Sequence, residues 1–287
     1  MRNVTGQAGF TLIELIVTLV VTSVVVSFMA MFISAPIRGF TDQARRSRLV
    51  DAADSALQRI GRDVRRALPN SVRTTTSAGV AALELLSTVD GGRYRREPPG
   101  TAQQILDFAA ADGSFDALAP FTQIAKPFSS TGHYLAIYNV GVPGADAYEL
   151  ANVITPAGTT ITIDADGATG EDRVTLAPAF RFAYGSPTQR VFLVDGPVTY
   201  LCNPSAGTLT RYSGYTIAAS QSARDSAGEL IGAGATASLM ADKISACALT
   251  YTAGTSERAG LVSLEIAVQS QGETISLLSQ VHVDNVP

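Results

Sequence analysis

The sequence predicts an α+β protein in which a long amino-terminal helix, membrane-spanning in its first half, packs on an antiparallel β-rich carboxy-terminal body. Three observations lead there. Residues 15–35 (LIVTLVVTSVVVSFMAMFISA) form an uncharged apolar run. Apolar residues then recur at steps of three and four from Leu49 to Leu68. From about residue 74 that period fades, and short β-like runs appear between Gly, Pro, Asn and Asp clusters. With 46% apolar and 16% charged residues, the 287-residue chain is too apolar to be disordered and long enough to bury a sizeable core.

The apolar run decides the first element. Extended back to Phe10 it is interrupted only by Glu14. A helix from Phe10 to Ile33 is about 36 Å long at 1.5 Å per residue, enough to cross a hydrocarbon core of ~30 Å. A cleaved secretory signal has an apolar stretch of about 7–15 residues followed by a small-residue site, so this stretch is too long for one. An ordinary signal anchor fits the length. It leaves Glu14 unexplained, because a carboxylate inside a membrane helix costs a few kcal/mol.

Pro36 and Gly39 follow the run, and a helix through them is expected to kink or loosen. The helical pattern resumes in Leu49, Val50, Ala53, Leu57, Ile60, Val64 and Leu68, one apolar stripe that ends at Pro69-Asn70. Arg45, Arg46, Arg48, Arg59, Arg62, Arg65 and Arg66 fall mostly off that stripe. Residues 38–73 hold nine Arg and four Asp, a charge of +5, whereas residues 74–287 carry −9. The arginines read as a solvated face, with a DNA-binding stripe as the other reading. No aromatic stacking residues lie among them, and an acidic body argues against a broad nucleic-acid surface.

In the body the candidate strands are 133–140, 160–163, 173–177, 190–194, 198–202, 208–212, 261–268 and 273–283. Asp195-Gly196-Pro197 reads as a hairpin turn, and so does Asn203–Gly207. Residues 237–243 read as a short helical turn. Residues 87–130, rich in Gly, Pro and Asp, read as an irregular insertion.

The segment Gly9-Phe10-Thr11-Leu12-Ile13-Glu14-Leu15 joins these observations. It resembles the type IV prepilin signature: a glycine, a following phenylalanine and a carboxylate five residues after the glycine, set before an apolar span. The resemblance implies a type IV pilin-like fold with a leader at 1–9, a transmembrane and assembly helix at 10–35, its amphipathic continuation at 36–69 and a periplasmic body at 70–287. A prepilin peptidase/methyltransferase would cut after Gly9 and methylate the new amine of Phe10. Glu14 would then pair with the terminal amine of a neighbouring subunit; the plainer reading has Glu14 snorkelling to the membrane surface. A buried charge is tolerable when an opposite charge meets it, and cleavage creates an ammonium one helical turn from Glu14. The implied partners are other pilins through the amino-terminal helix, the processing enzyme and inner-membrane lipid, with no nucleic acid. The implied location is the bacterial inner membrane, single-pass, then a pilus or pseudopilus.

Further blocks, 65–73 (RRALPNSVR), 189–215, Ile244-Ser245-Ala246-Cys247 and 280–287 (QVHVDNVP), are similar to the MshO-type proteins of MSHA pilus biogenesis, with like blocks in PilW-type minor pilins and J-type pseudopilins. This implies a non-catalytic minor pilin that primes or takes part in assembly of an MSHA-type pilus. The alternatives are a pseudopilin of a type II secretion system, or a pilus-tip adhesin or DNA-binding subunit using 87–130 or the tyrosines Tyr134, Tyr138, Tyr148, Tyr212 and Tyr215.

Cys202 and Cys247 are the two cysteines. In an exported body they are expected to form a disulfide, with two buried thiols as the other reading. Asp164, Asp166, Glu171 and Asp172 are weak calcium candidates that lack EF-hand spacing, and an acidic turn explains them as well. His133 and His282 stand in no ligand spacing, and no nucleophile–base arrangement suggests an enzyme. No cofactor is expected apart from that calcium candidate.

Overall fold

The computed structural model describes residues 9–97, 105–166, 170–255 and 258–287, without the side chains of 34–36 and 38. It is α+β. Helix α1 runs over Leu12–Arg65. Among the described residues thirteen strands follow, with one short α-helix and two single turns of 3-10 helix among them. The chain divides into two compact units, Met1–Val50 and Asp51–Pro287.

The first unit is helical from Leu12. Thr11 caps it: the Glu14 amide donates to Thr11 Oγ1 at 3.4 Å, and Glu14 in the first turn suits the positive end of the helix dipole. Leu12–Ile33 is apolar on every side, with a mean hydropathy of 2.6. Its few hydroxyls are turned inward along the helix. Thr18, Thr22, Ser23 and Ser27 donate to carbonyls three or four residues back, at 2.6–2.9 Å. Such bonds let a polar side chain sit in an apolar solvent without an orphaned donor. Positions 36 and 39, where a kink or loosening was expected, lie inside the continuous helix.

The second unit begins with the amphipathic part of α1. Ala53, Ala56, Leu57, Ile60 and Val64 are buried, while Arg59, Arg62, Arg65 and Arg66 are exposed. The strands are β1 Arg73–Ser77, β2 Val80–Tyr94, β3 Asp112–Ala119, β4 Phe128–Ser130, β5 Tyr134–Ala136, β6 Thr160–Asp166, β7 Glu171–Phe180, β8 Arg190–Asn203 and β9 Thr208–Ser213. Helix α2, Ala227–Gly232, precedes β10 Thr236–Asp242, β11 Ile244–Thr252, β12 Gly260–Ser270 and β13 Glu273–Val283. All pairings are antiparallel. A ten-stranded sheet has the order β10-β9-β8-β2-β3-β7-β6-β4, with β1 on β2 and β5 on β8. A second sheet has the order β11-β12-β13. One core cluster lies among β3, β6, β7 and the first half of β8, around Phe115, Ile163, Val174, Phe182 and Leu193.

Several sequence expectations need correction. Asp195-Gly196-Pro197 is not a hairpin turn. β8 runs straight through it, and the glycine serves a bulge: Ser87 opposes Gly196 and Thr88 opposes Val194, leaving Asp195 as an extra residue. Gly196 has φ 133°, a region that glycine enters at little cost. Val89 is a matching extra residue on β2, so the two strands stay in step. Residues 237–242 belong to strand β10 rather than a helical turn, because the ladder to β9 supplies their backbone bonds, and Lys243 lies just past the strand's end. The short helix is α2, fixed by a capping box in which Ser226 and Glu229 bond each other's backbone amides. Residues 87–130 contain the end of β2, all of β3 and β4, with 98–104 outside the described residues. Gly91 and Gly92 mark close approach within β2 rather than an irregular loop: a Cβ on Gly92 would lie 2.8 Å from the carbonyl oxygen of Ala119. Of 133–140, only 134–136 is strand.

Candidate functional site

The amino-terminal site is built from the first residues of α1. Gly9 has no heavy atom within 4 Å of where a Cβ would stand. Phe10, ahead of the helix, is 76% exposed. Glu14 lies in the first turn of the helix, and among the described residues no cation or donor meets its carboxylate. Of the expected leader, residues 1–9, only Gly9 lies within the described residues. Two features therefore stand together: an accessible Gly9-Phe10 bond, and a carboxylate held at the start of an apolar helix by a capped turn. The sequence reading missed the cap. Its signal was present in Thr11-x-x-Glu14, three residues apart at the head of an apolar run.

A second carboxylate of the same helix is treated differently. Asp63 faces the body. Its Oδ2 accepts from the Tyr200 hydroxyl at 2.7 Å and from Arg211 Nε at 2.9 Å, while Arg59 Nε lies 3.5 Å from Oδ1. Burial is the main cause that pushes the Tyr200 hydroxyl well above its ordinary pKa, with Asp63 beside it adding to the rise. This anchor fastens residues 51–65 to the middle of the sheet, and the periodicity argument did not single it out.

The body also holds a buried polar knot. Glu84, wholly buried on β2, pairs with Arg73 at 2.8 Å and accepts from the Tyr215 hydroxyl at 3.0 Å. Arg73 donates further to the carbonyls of Ala218 and Ala219 and stacks over the Tyr148 ring at 3.5 Å. Burial pushes the Glu84 carboxyl above its ordinary value, and Arg73 opposes that rise.

Cys202 and Cys247 are joined by a disulfide, with Cα atoms 6.5 Å apart. Cys202 lies on β8 and Cys247 on β11, so the bond ties the two sheets together. The calcium candidates are dispersed. Register puts Asp164 and Asp166 opposite Arg173 and Glu171, with Asp172 opposite Ala165 on the other face. Glu171 pairs with Arg95, Asp166 with Arg173 at 3.3 Å, and Asp172 with Lys126 at 2.6 Å. Among the described residues no three His, Cys, Asp or Glu side chains gather to hold a metal ion. The candidate ligand tyrosines are mostly internal: Tyr134, Tyr148, Tyr212 and Tyr215 are buried, and Tyr138 is half-buried.

Residues 5–30 match the family model of the prokaryotic N-terminal methylation motif. No curated protein and no solved structure matches the chain. The motif, the apolar helix of Leu12–Ile33 and the disulfide support a type IV pilin-like protein, and that helix is long and apolar enough to cross a membrane once. In general terms the motif implies processing by a prepilin peptidase and association with other pilins.

Proposed function

We propose that this chain is a minor pilin that primes or joins assembly of a type IV filament of the MSHA type. The carrying observation is the methylation motif at residues 5–30, running directly into an exposed apolar helix over Leu12–Ile33. In this reading the helix holds the precursor in the inner membrane with its body in the periplasm. The peptidase cuts after Gly9 and methylates the Phe10 amine. Glu14 then accepts the terminal ammonium of a neighbouring subunit, which fixes helix register as lipid contact gives way to helix packing. A carboxylate in an apolar medium strongly favours such a partner, and within the described chain it has none. Residues 1–9 act as leader, 10–35 as membrane and assembly helix, 36–69 as its amphipathic continuation and 70–287 as body.

The test is a Glu14→Ala variant expressed in a host that builds the filament. Membrane insertion is expected to be unchanged, while the amount recovered in sheared filaments falls by at least about tenfold, the loss of a charge-assisted pair. Normal incorporation would remove the pairing role.

A further inference from the structure

The edges of the two sheets are not treated alike. A strand edge carries a row of unpaired amides and carbonyls, and proteins usually blunt it with brevity, charge, proline or a bulge. β4 is three residues long. β10 is bulged between Leu239 and Ala241 and ends on Asp242. β11 is bulged between Ile244 and Ala246. β13 carries a charge only at its first residue, Glu273, and has no proline and no bulge. Its register with β12 is unbroken from Glu273 to Val283, and residues 274–283 contain no proline and no Asp, Glu, Lys or Arg. Beyond that ladder, residues 274–283 make no backbone hydrogen bond among the described residues. Leu278 stands 67% exposed on this strand.

Beside β13 runs a groove of about 360 Å³ between the strand and the body half of α1, lined by Leu57, Gly61, Arg62, Arg65, Ser279 and Val281. Gly61 lets the two elements close up, since a Cβ there would lie 3.3 Å from Val281 Cγ2. Arg62 and Arg65 are exposed, and among the described residues neither guanidinium has a side-chain partner. An open, uncharged strand edge therefore borders a groove with an apolar floor and two free cations on its wall.

We propose that β13 is a docking edge for an extended, carboxylate-bearing segment of another protein, which adds as a further antiparallel or parallel strand. Main-chain bonds to β13 would supply affinity, and alternate acidic side chains reaching Arg62 and Arg65 would supply selectivity and register. The proposal does not depend on the filament reading.

The test uses the full-length chain in detergent micelles and a short peptide of alternating valine and glutamate. Fluorescence anisotropy is expected to show binding about tenfold tighter than for the valine–lysine counterpart. Amide exchange should slow at alternate positions of residues 274–282. Arg62→Glu with Arg65→Glu should weaken binding about tenfold or more without moving the melting temperature, both side chains being exposed and unpartnered. A peptide N-methylated on alternate amides keeps its charge but cannot complete the ladder, so it should not bind. Equal binding by the N-methylated peptide, or indifference to the arginine substitutions, would overturn the proposal. So would protection of β13 that rises with protein concentration in the absence of peptide, which would make a second copy of the chain the occupant.

Discussion

Two carboxylates of helix α1, Glu14 and Asp63, stand in opposite circumstances. Glu14 lies in a stretch where every described side chain is exposed, on a mainly apolar helix and with no partner for its charge among the described residues. Asp63 lies where the helix face is buried, and three side chains from two elements and the helix itself converge on it. One secondary structure thus serves two solvents. Residues 12–33 satisfy their hydroxyls along the helix and leave their apolar surface for lipid or for other helices. Residues 51–65 bury their apolar stripe in their own unit and leave arginines in water. A charge in the first setting calls for a partner from outside the chain; a charge in the second is already neutralised and acts as a fastener.

Substitutions sharpen that contrast. The largest effect on the body is expected from removing the bond between its sheets. Replacing Cys202 and Cys247 by serine should cost about 4 kcal/mol, from the loop-closure entropy of a 45-residue separation, and should be read as a fall in urea midpoint. Asp63→Ala should cost about 3 kcal/mol, because Arg211 and the Tyr200 hydroxyl are left without their acceptor. Glu14→Ala should leave the same unfolding transition unmoved. Ile60→Val removes one buried methylene and should cost about 1 kcal/mol, whereas Val24→Ala, on an exposed position, should not alter body stability. If Glu14→Ala destabilised the body as much as Asp63→Ala, the division of labour along α1 would be wrong.

The smallest effect is on pH dependence. Burial raises the Glu84 carboxyl above its ordinary 4.5, so the folded state holds that proton more tightly than the unfolded chain. This contribution is fully present below 4.5 and is lost as pH rises through the raised folded value. Glu84→Gln should therefore flatten the stability profile above pH 4.5, as measured by chemical unfolding across that window. An unchanged profile would place the titration elsewhere.

Much of this was legible from residue order. The apolar run, the stripe from Leu49 to Val64 and the strands around 160–163, 173–177, 208–212, 261–268 and 273–283 follow from local period and turn chemistry, which is where sequence speaks directly; the helix itself stops at Arg65, a turn before the expected Pro69-Asn70, because Leu68 already bonds to Leu86 of β2. What failed was non-local. Gly196 and Pro197 look like a turn until β2 is seen alongside, bulged in compensation. Gly91 and Gly92 look like a loop until Phe192 and the Ala119 carbonyl are seen pressing on them. The stretch 237–243 is too short for its period to tell helix from strand, and its ladder with β9 decides. In the amino-terminal site, Gly9, Phe10 and Glu14 were visible because a contiguous motif carries them. Asp63, Glu84 and the docking edge were not, because each depends on partners far off in the chain.

The most direct test of the central claim is the intact mass and amino-terminal sequence of the chain recovered from its host, with and without the prepilin peptidase. The account predicts a peptidase-dependent product that begins at N-methylated Phe10. A chain still beginning at Met1, or one cut beyond Ile33, would contradict it and leave a membrane-anchored or secreted β-rich body with no role in a filament.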